Sequence, residues 1–351
     1  MAVKASGSLA LSEIASEFGD SQPHSMSEFI RGGAKVPQAD ANNNIPTSTA
    51  NMRFNNFFGA VNVIALTATS GTNVSLASAF GSNWTTDVPK EYIVPSGVTL
   101  GATSTTAFAL TVESNLVGTL TIKNSGSIEG AGGAAGAAGG DAIDANATCT
   151  IINNSGGSIK AGGGGGGNGG AGGTGGAGGN GYYVTTVGGV GNYNSCNAAC
   201  QIYKGGNHYC YSGCNSDHCN NCAYNTNTSG GSGGAGGAGG AGGVGEGYGQ
   251  SAGSGVSGVA GSAGSSGGSG SGNGGLGGTG GAGGAGGAFG AAGTAGTAGG
   301  TGNTGSNGNT NNGSVGSSGS SGGSAGSGGR YINGIANVTL TNNGTVAGTT
   351  V

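Results

Sequence analysis

The sequence predicts a mostly β and irregular fold, in which a bundle of glycine-rich rods with a cysteine-rich loop insert grows from a small β-structure that follows short N-terminal helical turns. Three observations lead to this prediction. A glycine recurs at every third position through much of residues 130–329, a strand–turn–strand motif occurs three times, and cysteines and tyrosines concentrate in residues 181–228. With 91 glycines among 351 residues and only 6% charged residues, the composition argues against a large apolar core.

The glycine repeat is densest in residues 229–244, where pairs of glycines are separated by a single Ser, Ala or Val. In residues 290–308 one glycine persists at every third position. Two architectures have three residues per turn, the collagen triple helix and the extended polyproline II conformation, and collagen also requires many prolines. All five prolines lie before residue 96, so the repeat predicts polyglycine II helices whose bare backbones bond to neighbouring helices. The alternative is a disordered Gly/Ser linker, although the strict phase of the repeat and its scarcity of charge argue against it.

Residues 1–60 contain three short segments that end in glycine, as helices commonly do. In the first of these, Leu11, Ile14 and Phe18 fall on one helical face. Single helical turns bury little apolar surface, so we expect a docking module that becomes ordered against a partner. The alternative is a small subdomain that folds on its own chain.

Three regions follow this module. Residues 61–129 are rich in β-branched residues separated by turn residues, which predicts a β-rich domain with Trp84 in its core. Residues 130–329 form the predicted polyglycine II bundle, interrupted by the insert at residues 181–228. Residues 330–351 return the chain to the β-domain as a C-terminal β segment.

The recurring motif consists of a strand, an Asn/Gly turn and a second short strand. Its copies are Leu120–Gly130, Cys149–Gly162 and Val338–Gly348. We interpret the copies as a small β-platform or a few β-solenoid coils, from which the glycine-rich rods emerge as insertions. Cys149 occupies the position of Leu120 and Val338, so we expect a buried thiol that acts as an apolar group.

The insert at residues 181–228 holds nearly all the distinctive chemistry of the chain. It has almost no aliphatic residues for a core, and a short loop-rich segment of this kind needs covalent or metal staples. Three disulfides of undetermined pairing are predicted among Cys196, Cys200, Cys210, Cys214, Cys219 and Cys222. Zinc is the alternative, since His208 and His218 lie among these cysteines, but the spacing matches no specific zinc pattern, and neither a metal nor a cofactor is predicted.

Charge and motif content narrow the function classes. A formal charge of −4 and few basic residues argue against nucleic-acid binding. No apolar run approaches the roughly 18 residues of a membrane helix, and residues 1–11 lack the apolar stretch of a signal peptide, so we expect synthesis in a cytoplasm. No nucleophile elbow, P-loop or HExxH motif occurs, and nothing places two of Asp141, Asp144 and Asp217 around one bond. We therefore expect a protein that is not an enzyme.

The sequences LTIKNSGSIEGAGG at Leu120–Gly133 and CTIINNSGGSIKAGGGGGG at Cys149–Gly167 run from strand through turn and strand into glycine triplets. In this pattern the chain resembles the glycine-rich tail-fibre adhesins of tailed bacteriophages, in particular the receptor-recognising tip adhesins of T-even-like phages. The resemblance implies a sandwich of polyglycine II helices with variable loops at its far end. The N-terminal sequence LSEIASEFG is similar to a short module found at the start of many phage tail proteins. The cysteine-rich insert departs from the family, because it is longer and richer in cysteine than the loops of those adhesins.

The resemblance implies a virion protein of the tail fibre, made in the host cytoplasm, that attaches to other tail or baseplate proteins through residues 1–60. It also implies that loops at the rod ends bind a host-surface receptor, either a glycan or an outer-membrane protein. Tyrosine suits such contacts because it is large, amphipathic and has few rotatable bonds. The candidate receptor-binding residues are Tyr203, Lys204, His208, Tyr209, Tyr211 and Tyr224. The turns at Glu246–Tyr248 and Asn307–Asn312 are the second choice, and the copy number stays open between a single chain and a homotrimer.

Two other function classes remain as alternatives. A polysaccharide-cleaving tail spike would use a similar β-solenoid but needs paired carboxylates. A purely structural or ice-binding protein would present a flat array of small residues, for which Thr294, Thr297, Thr301 and Thr304 supply only a short stretch.

Overall fold

A computed structural model describes residues 3–37, 42–188, 209–210 and 221–350, with the backbone alone described at 185–188, 209–210 and 221–225. In these residues β-structure and irregular structure predominate, as expected. The helices are α1 (Leu11–Glu17) and α2 (Leu76–Phe80), with 3-10 helices at Met26–Glu28, Phe54–Phe57, Gly81–Thr85 and Ile335–Asn337. The strands, in chain order, are β1 (Ile64–Thr67), β2 (Gly71–Thr72), β3 (Val74–Ser75), β4 (Lys90–Val94), β5 (Thr99–Gly101), β6 (Leu110–Val112), β7 (Leu120–Asn124), β8 (Ser127–Glu129), β9 (Ile143–Ala145), β10 (Cys149–Asn153), β11 (Ser158–Lys160), β12 (Gly181–Gly188), β13 (Tyr209–Cys210), β14 (Asn221–Thr228), β15 (Ile332–Asn333), β16 (Val338–Asn342) and β17 (Thr345–Ala347).

The described part of residues 3–60, the N-terminal module, has an apolar core of its own. Phe18 at the end of α1, Phe29 and Phe57 are all buried. The rings of Phe18 and Phe29 have centroids 6.1 Å apart, and those of Phe29 and Phe57 are 6.3 Å apart. The expectation of little core was therefore wrong, because aromatic residues from three separate segments converge. Each segment contributes only one of these three buried rings.

Residues 64–160 and 330–349 form a three-sided solenoid of parallel strands. One sheet has the strand order β1-β4-β7-β10-β16, the second β17-β11-β8-β5-β2, and the third β15-β9-β6-β3. The chain visits the three sheets in turn, so each passage is one coil, and the fifth coil contributes only β16 and β17. The recurring motif predicted either a β-platform or a few β-solenoid coils, and the solenoid is the arrangement observed.

Alternate residues of the coils point into the solenoid, where equivalent positions stack. Leu120, Cys149 and Ile151 are at most 4% exposed. Burial raises the pKa of the Cys149 thiol to about 11, so this free cysteine stays protonated and packs as an apolar group, which confirms the prediction. Trp84 is also buried, as expected, and its indole N–H donates to Oδ1 of Asn115 at 2.8 Å.

The asparagines of the recurring motif form a ladder inside the solenoid. Nδ2 of Asn124 donates to Oδ1 of Asn153 at 2.8 Å, and Nδ2 of Asn153 donates to Oδ1 of Asn342 at 2.8 Å. The same two amides also reach the carbonyls of Ser158 and Thr345 at 3.1 and 3.2 Å, which lie one coil further on. Asn124 and Asn153 are fully buried. The ladder satisfies their polar groups, as burial of an amide requires.

The long glycine-rich region is an insertion in the fourth coil, between β11 and β15. It runs as six extended segments joined by tight turns and, between the first and second, by the insert. We number them rod 1 (161–180), rod 2 (229–246), rod 3 (251–268), rod 4 (271–288), rod 5 (291–308) and rod 6 (312–329). A shorter glycine-rich excursion at residues 130–142 leaves the third coil between β8 and β9.

Backbone hydrogen bonds link the rods at every third residue. In rod 1, the amide of Gly172 donates to Gly237 of rod 2 at 2.8 Å, and the amide of Gly173 donates to Gly300 of rod 5 at 2.9 Å. The carbonyl of Gly173 accepts from Gly278 of rod 4 at 2.7 Å. Rod 1 also bonds to rod 6, rod 2 bonds to rod 4, rod 3 bonds to rods 2 and 4, and rod 5 bonds to rods 4 and 6. These neighbours describe two staggered rows of three rods, 2-1-6 and 3-4-5.

The glycines are required because the backbones approach too closely for any side chain. A Cβ atom on Gly172 would lie 2.1 Å from the carbonyl oxygen of Gly278, and one on Gly239 would lie 1.9 Å from that of Gly169. Rods 1 and 4, with four neighbours each, carry two glycines in most triplets, whereas rods 3 and 6, with two neighbours each, carry mostly one. In these four rods the number of glycines in a triplet follows the number of neighbouring rods, whereas rods 2 and 5, with three neighbours each, carry mostly two and mostly one.

Two aromatic residues anchor the bundle to the solenoid. Tyr248, in the turn between rods 2 and 3, packs on β5, where a Cβ on Gly101 would lie 2.1 Å from Cγ of its ring. Phe289, between rods 4 and 5, lies under Nζ of Lys160 in β11, which is 4.9 Å from the ring centroid. These two turns are therefore at the solenoid end of the bundle. The turns between rods 3 and 4 and between rods 5 and 6 are at the opposite end.

Candidate functional site

The insert leaves the bundle at the end that is remote from the solenoid. β12 continues from rod 1 and β14 leads into rod 2, and the two strands pair antiparallel from Gly181 opposite Thr228 to Gly188 opposite Asn221. Beside them lie the turns at 268–271 and 307–313, which join rods 3 and 4 and rods 5 and 6. We call the described residues 181–184, 226–228, 268–271 and 307–313 the distal face.

Hydrogen bonds fix the base of the insert to the bundle. The backbone amide of Tyr182 donates to Oδ1 of Asn309, and Nδ2 of Asn309 donates back to the carbonyl of Tyr182, both at 2.8 Å. On the other strand, Oγ1 of Thr228 donates to the carbonyl of Ser269 at 2.9 Å. Each of the two distal turns therefore holds one strand of the insert. The strand pair leaves the rods in a defined position.

The distal face is neutral and rich in hydrogen-bonding groups. Its residues carry hydroxyls, amides and aromatic rings, and none of the described residues in it is charged. Tyr183 is 43% exposed and Val184 is 53% exposed. A surface of this kind can stack on and hydrogen-bond to a neutral ligand, and it lacks the charge needed to steer a strongly ionic one.

The backbone places two of the candidate receptor-binding residues in one sheet. Tyr209 lies on β13 opposite Ala223, next to Tyr224 on β14, which is opposite Thr185. Tyr203, Lys204, His208 and Tyr211 lie outside the described residues.

Two of the predicted disulfide cysteines are also placed by the backbone. Cys210 of β13 and Cys222 of β14 are register partners in the antiparallel pair. The predicted disulfides among the other cysteines fall outside the described residues, at Cys196, Cys200, Cys214 and Cys219.

Of the two second-choice turns, one lies away from the distal face. The turn at Glu246–Tyr248 is at the solenoid end, where the amide of Tyr248 donates to the carbonyl of Gly130 at 3.0 Å. The turn at Asn307–Asn312 does lie on the distal face. Asn309, whose side chain forms two hydrogen bonds with Tyr182 at the base of the insert, was not predicted as a positioning residue. The signal for it is a break in the glycine phase after Gly308.

The carboxylates considered for catalysis have structural partners. Oδ1 of Asp141 accepts from the amide of Arg330 at 2.6 Å, and Oδ1 of Asp144 accepts from Nδ2 of Asn333 at 2.8 Å. Asp217 lies outside the described residues. Within the described ranges, three or more His, Cys, Asp or Glu side chains never gather as they would around a metal ion. Nor does any helix in that part of the chain have the length and apolarity needed to cross a membrane.

The threonine array considered for ice binding is partly used within the bundle. Oγ1 of Thr294 accepts from the amide of Ala285, and Oγ1 of Thr297 accepts from the amide of Ala282, each at 2.7 Å. Serines of rods 3 and 6 accept from neighbouring amides in the same way. These hydroxyls complete the backbone hydrogen bonds between rods.

Comparison with known proteins identifies the family. The model of the phage tail fibre adhesin Gp38 matches residues 61–268, which is more than half of the chain. The chain is also similar to a solved structure, the gp37-gp38 adhesin tip complex of the bacteriophage S16 long tail fibre, with 16% identity, full coverage of both chains and a TM-score of 0.36. Comparison with curated proteins gave no match. The match of the family model shows that this chain belongs to the phage tail fibre adhesin Gp38 family.

Proposed function

We propose that this chain is the receptor-binding tip of a phage tail fibre and that the insert on the distal face contacts the host cell. The observation that carries the proposal is the position of the insert. The segment richest in tyrosine and cysteine leaves the rods at the end remote from the solenoid, and Asn309 and Ser269 hold its two strands there. Recognition residues are commonly found on loops that a rigid scaffold positions.

The rods supply the stalk in this proposal, and we propose that they are polyglycine II helices. Support comes from the hydrogen bonds that recur at every third residue, for example from Gly169, Gly172 and Gly175 of rod 1 to rod 2. An isolated helix of this type has no internal hydrogen bonds, so its neighbours must supply them. At about 3.1 Å per residue, a rod of this length would carry the insert roughly 55–60 Å from the solenoid.

We propose a neutral host-surface glycan as the receptor, with an outer-membrane protein as the alternative. The tyrosines of the insert would stack on sugar rings, and the amides and hydroxyls of the distal face would bond to sugar hydroxyls. The proposed contact residues are Tyr203, Lys204, His208, Tyr209, Tyr211 and Tyr224.

The insert needs staples if it is to hold one shape. We propose that its six cysteines form three disulfides, and that Cys210 pairs with Cys222. Register partners on antiparallel strands have Cα atoms about 4.5–5.5 Å apart, which is a separation that a disulfide spans. A chain made in the host cytoplasm would close these bonds only after release. Mass spectrometry without reduction should find the Cys210–Cys222 linkage; bound zinc with all six thiols free would replace the disulfides by a metal staple.

Host adsorption tests the proposal. Replacement of Tyr203, Tyr209 and Tyr211 together by Ala should abolish binding to host cells and leave thermal unfolding of the bundle almost unchanged. A matched control replaces Val256, Val259 and Val315, which are exposed on the sides of the rods, by Ala. Normal adsorption by the tyrosine variant, or equal loss in both variants, would place the receptor site elsewhere.

The N-terminal module is proposed to attach the chain to other tail or baseplate proteins. The module is separable, since it has its own core and since the amide of Val3 donates to the carbonyl of Ala60 at 2.8 Å. The family model begins only at residue 61. Deletion of residues 1–60 should leave a folded adhesin that no longer joins the virion. Incorporation of the truncated chain into particles would show that the attachment surface lies elsewhere.

A further inference from the structure

The two ends of the solenoid differ. At the first coil, Phe80 and Trp84 are buried, and the ring of Phe80 packs 6.4 Å from that of Tyr92 in the second coil. Large aromatic residues therefore close that end. The fifth coil consists of β16 and β17, and we call it the open coil. Each of its two strands is the edge strand of its sheet.

The open coil exposes side chains of a kind that the inner coils bury. Ile122 and Ile151 are fully buried, whereas Leu340 at the same position in β16 is only half-buried. Asn124 and Asn153 are likewise fully buried, and Asn342 is exposed. A solenoid whose terminal repeat presents its interior layer requires a cap, because the layer is apolar and the strand edges carry unpaired backbone groups.

The hydrogen bonds of the asparagine ladder all run in one direction, toward the open coil. Each Nδ2 group donates toward the following coil, from Asn124 to Asn153 and from Asn153 to Asn342. Oδ1 of Asn342 is occupied, since it also accepts from the amide of Gly344 at 3.3 Å. Among the described residues, Nδ2 of Asn342 has no acceptor. The open coil therefore presents a hydrogen-bond donor, Nδ2 of Asn342, where an inner coil would meet an acceptor.

We infer that the open coil is a docking surface for a strand-forming segment of another virion protein, which adds a sixth coil to the solenoid. The segment would pair with the edges of β16 and β17, place apolar residues over Val338 and Leu340, and offer an amide or carbonyl oxygen to Asn342. This is addition of a strand to an exposed sheet edge, in which main-chain bonds supply affinity and side-chain positions supply register.

The polarity of the ladder argues against a second copy of this chain as the partner. Two copies that met through their open coils would pair their β16 strands antiparallel, so that in full overlap Asn342 of one copy faces Val338 of the other and its Nδ2 group meets no side-chain acceptor. A head-to-tail contact would have to use the first coil, which Phe80 and Trp84 fill and which the ladder does not reach, because Val94 of the second coil stands opposite Asn124. A different protein with an acceptor at this position satisfies the surface.

Assembly with the fibre tests this inference. Fibres prepared from particles that lack this chain are mixed with the purified full chain, and hydrogen exchange is measured in residues 338–347 with and without the fibres. We expect exchange there to slow at least tenfold on binding. Unchanged exchange in bound chain would overturn the inference. Because the readout is local to the open coil, it is independent of attachment through residues 1–60 and of host binding.

A pair of substitutions supplies the second readout. Asn342→Asp keeps the oxygen that accepts from Asn153 but replaces the Nδ2 donor by a negatively charged oxygen. We expect the affinity for the fibre to fall at least about tenfold, because docking would lose one hydrogen bond and bury the new charge. Asn343→Asp makes the same change at the next residue, which is exposed in the turn beside the ladder, and should alter affinity less than about twofold. Equal effects of the two substitutions would contradict a role for the ladder.

Discussion

Gly239→Ala adds a single methyl group at a contact between rods 1 and 2. Its Cβ would lie 1.9 Å from the carbonyl oxygen of Gly169, whereas real Cβ atoms essentially never approach closer than 3.0 Å. Rod 2 would have to retreat by about 1 Å. The bonds from Gly169 to Gly240 and from Gly172 to Gly237, each 2.8 Å long, would then stretch beyond hydrogen-bond range.

The cost of this retreat follows from those two bonds. A backbone group left without a partner costs about 1–3 kcal/mol, so the loss of these two bonds should destabilise the packing of rod 2 in Gly239→Ala by about 2–6 kcal/mol. Gly300→Ala is the matched control, because its Cβ would lie 3.1 Å from Oγ1 of Thr279, a flexible side chain that can turn away. Both substitutions restrict the unfolded chain equally, so that contribution cancels in the comparison.

Hydrogen exchange in residues 229–246 and thermal unfolding followed by circular dichroism measure the difference. We expect faster exchange and earlier unfolding in Gly239→Ala, with Gly300→Ala within about 1 kcal/mol of the parent protein. Similar stability of the two variants would refute the packing of the rods. It would mean that glycine is present for flexibility rather than for close approach.

Three further changes test other parts of the fold. Lys90→Met removes a buried ammonium that donates to the carbonyls of Thr86, Val88 and Val117 at 2.7–2.9 Å, and unfolding in urea should show a loss of about 2–5 kcal/mol. Ser317→Ala removes an acceptor 2.8 Å from the amide of Thr174, and exchange at that amide should reveal a loss of about 1 kcal/mol. The Cys149 thiol, with its pKa of about 11, should resist alkylation at pH 8 until the chain is unfolded.

Control variants and a pH dependence accompany these three predictions. Lys123→Met on the outer face of β7 breaks only an exposed ion pair with Glu91 and should cost under about 1 kcal/mol. Ser318→Ala, at the exposed neighbouring position, should leave exchange at the amide of Thr174 unchanged. For Cys149, the raised pKa means that the folded state holds a proton that the unfolded state releases, so its contribution to stability should fall as pH rises from about 9 to about 11. Ready alkylation of folded protein at pH 8 would contradict its burial.

The sequence by itself determined the local features of this protein. Glycine at every third residue predicts extended rods because only a residue without Cβ permits the approach seen at Gly172 and Gly239. The recurring motif predicts stacked strands, and its alignment of Cys149 with Leu120 correctly predicts a buried thiol. These features depend on repeats that are visible within a few residues.

Tertiary structure decided which elements are neighbours. Nearly identical triplets do not reveal that rod 1 bonds to four other rods, or that Tyr248 and Phe289 anchor the bundle to the solenoid. The core formed by Phe18, Phe29 and Phe57 and the contact of Asn309 with Tyr182 likewise join segments distant in sequence. Such contacts depend on the energy of the whole packed chain, because each local segment is compatible with many partners. The sequence predicts which pieces form and that the insert lies at a rod end, and the packing of those pieces decides which rods are neighbours and which turns lie beside the insert.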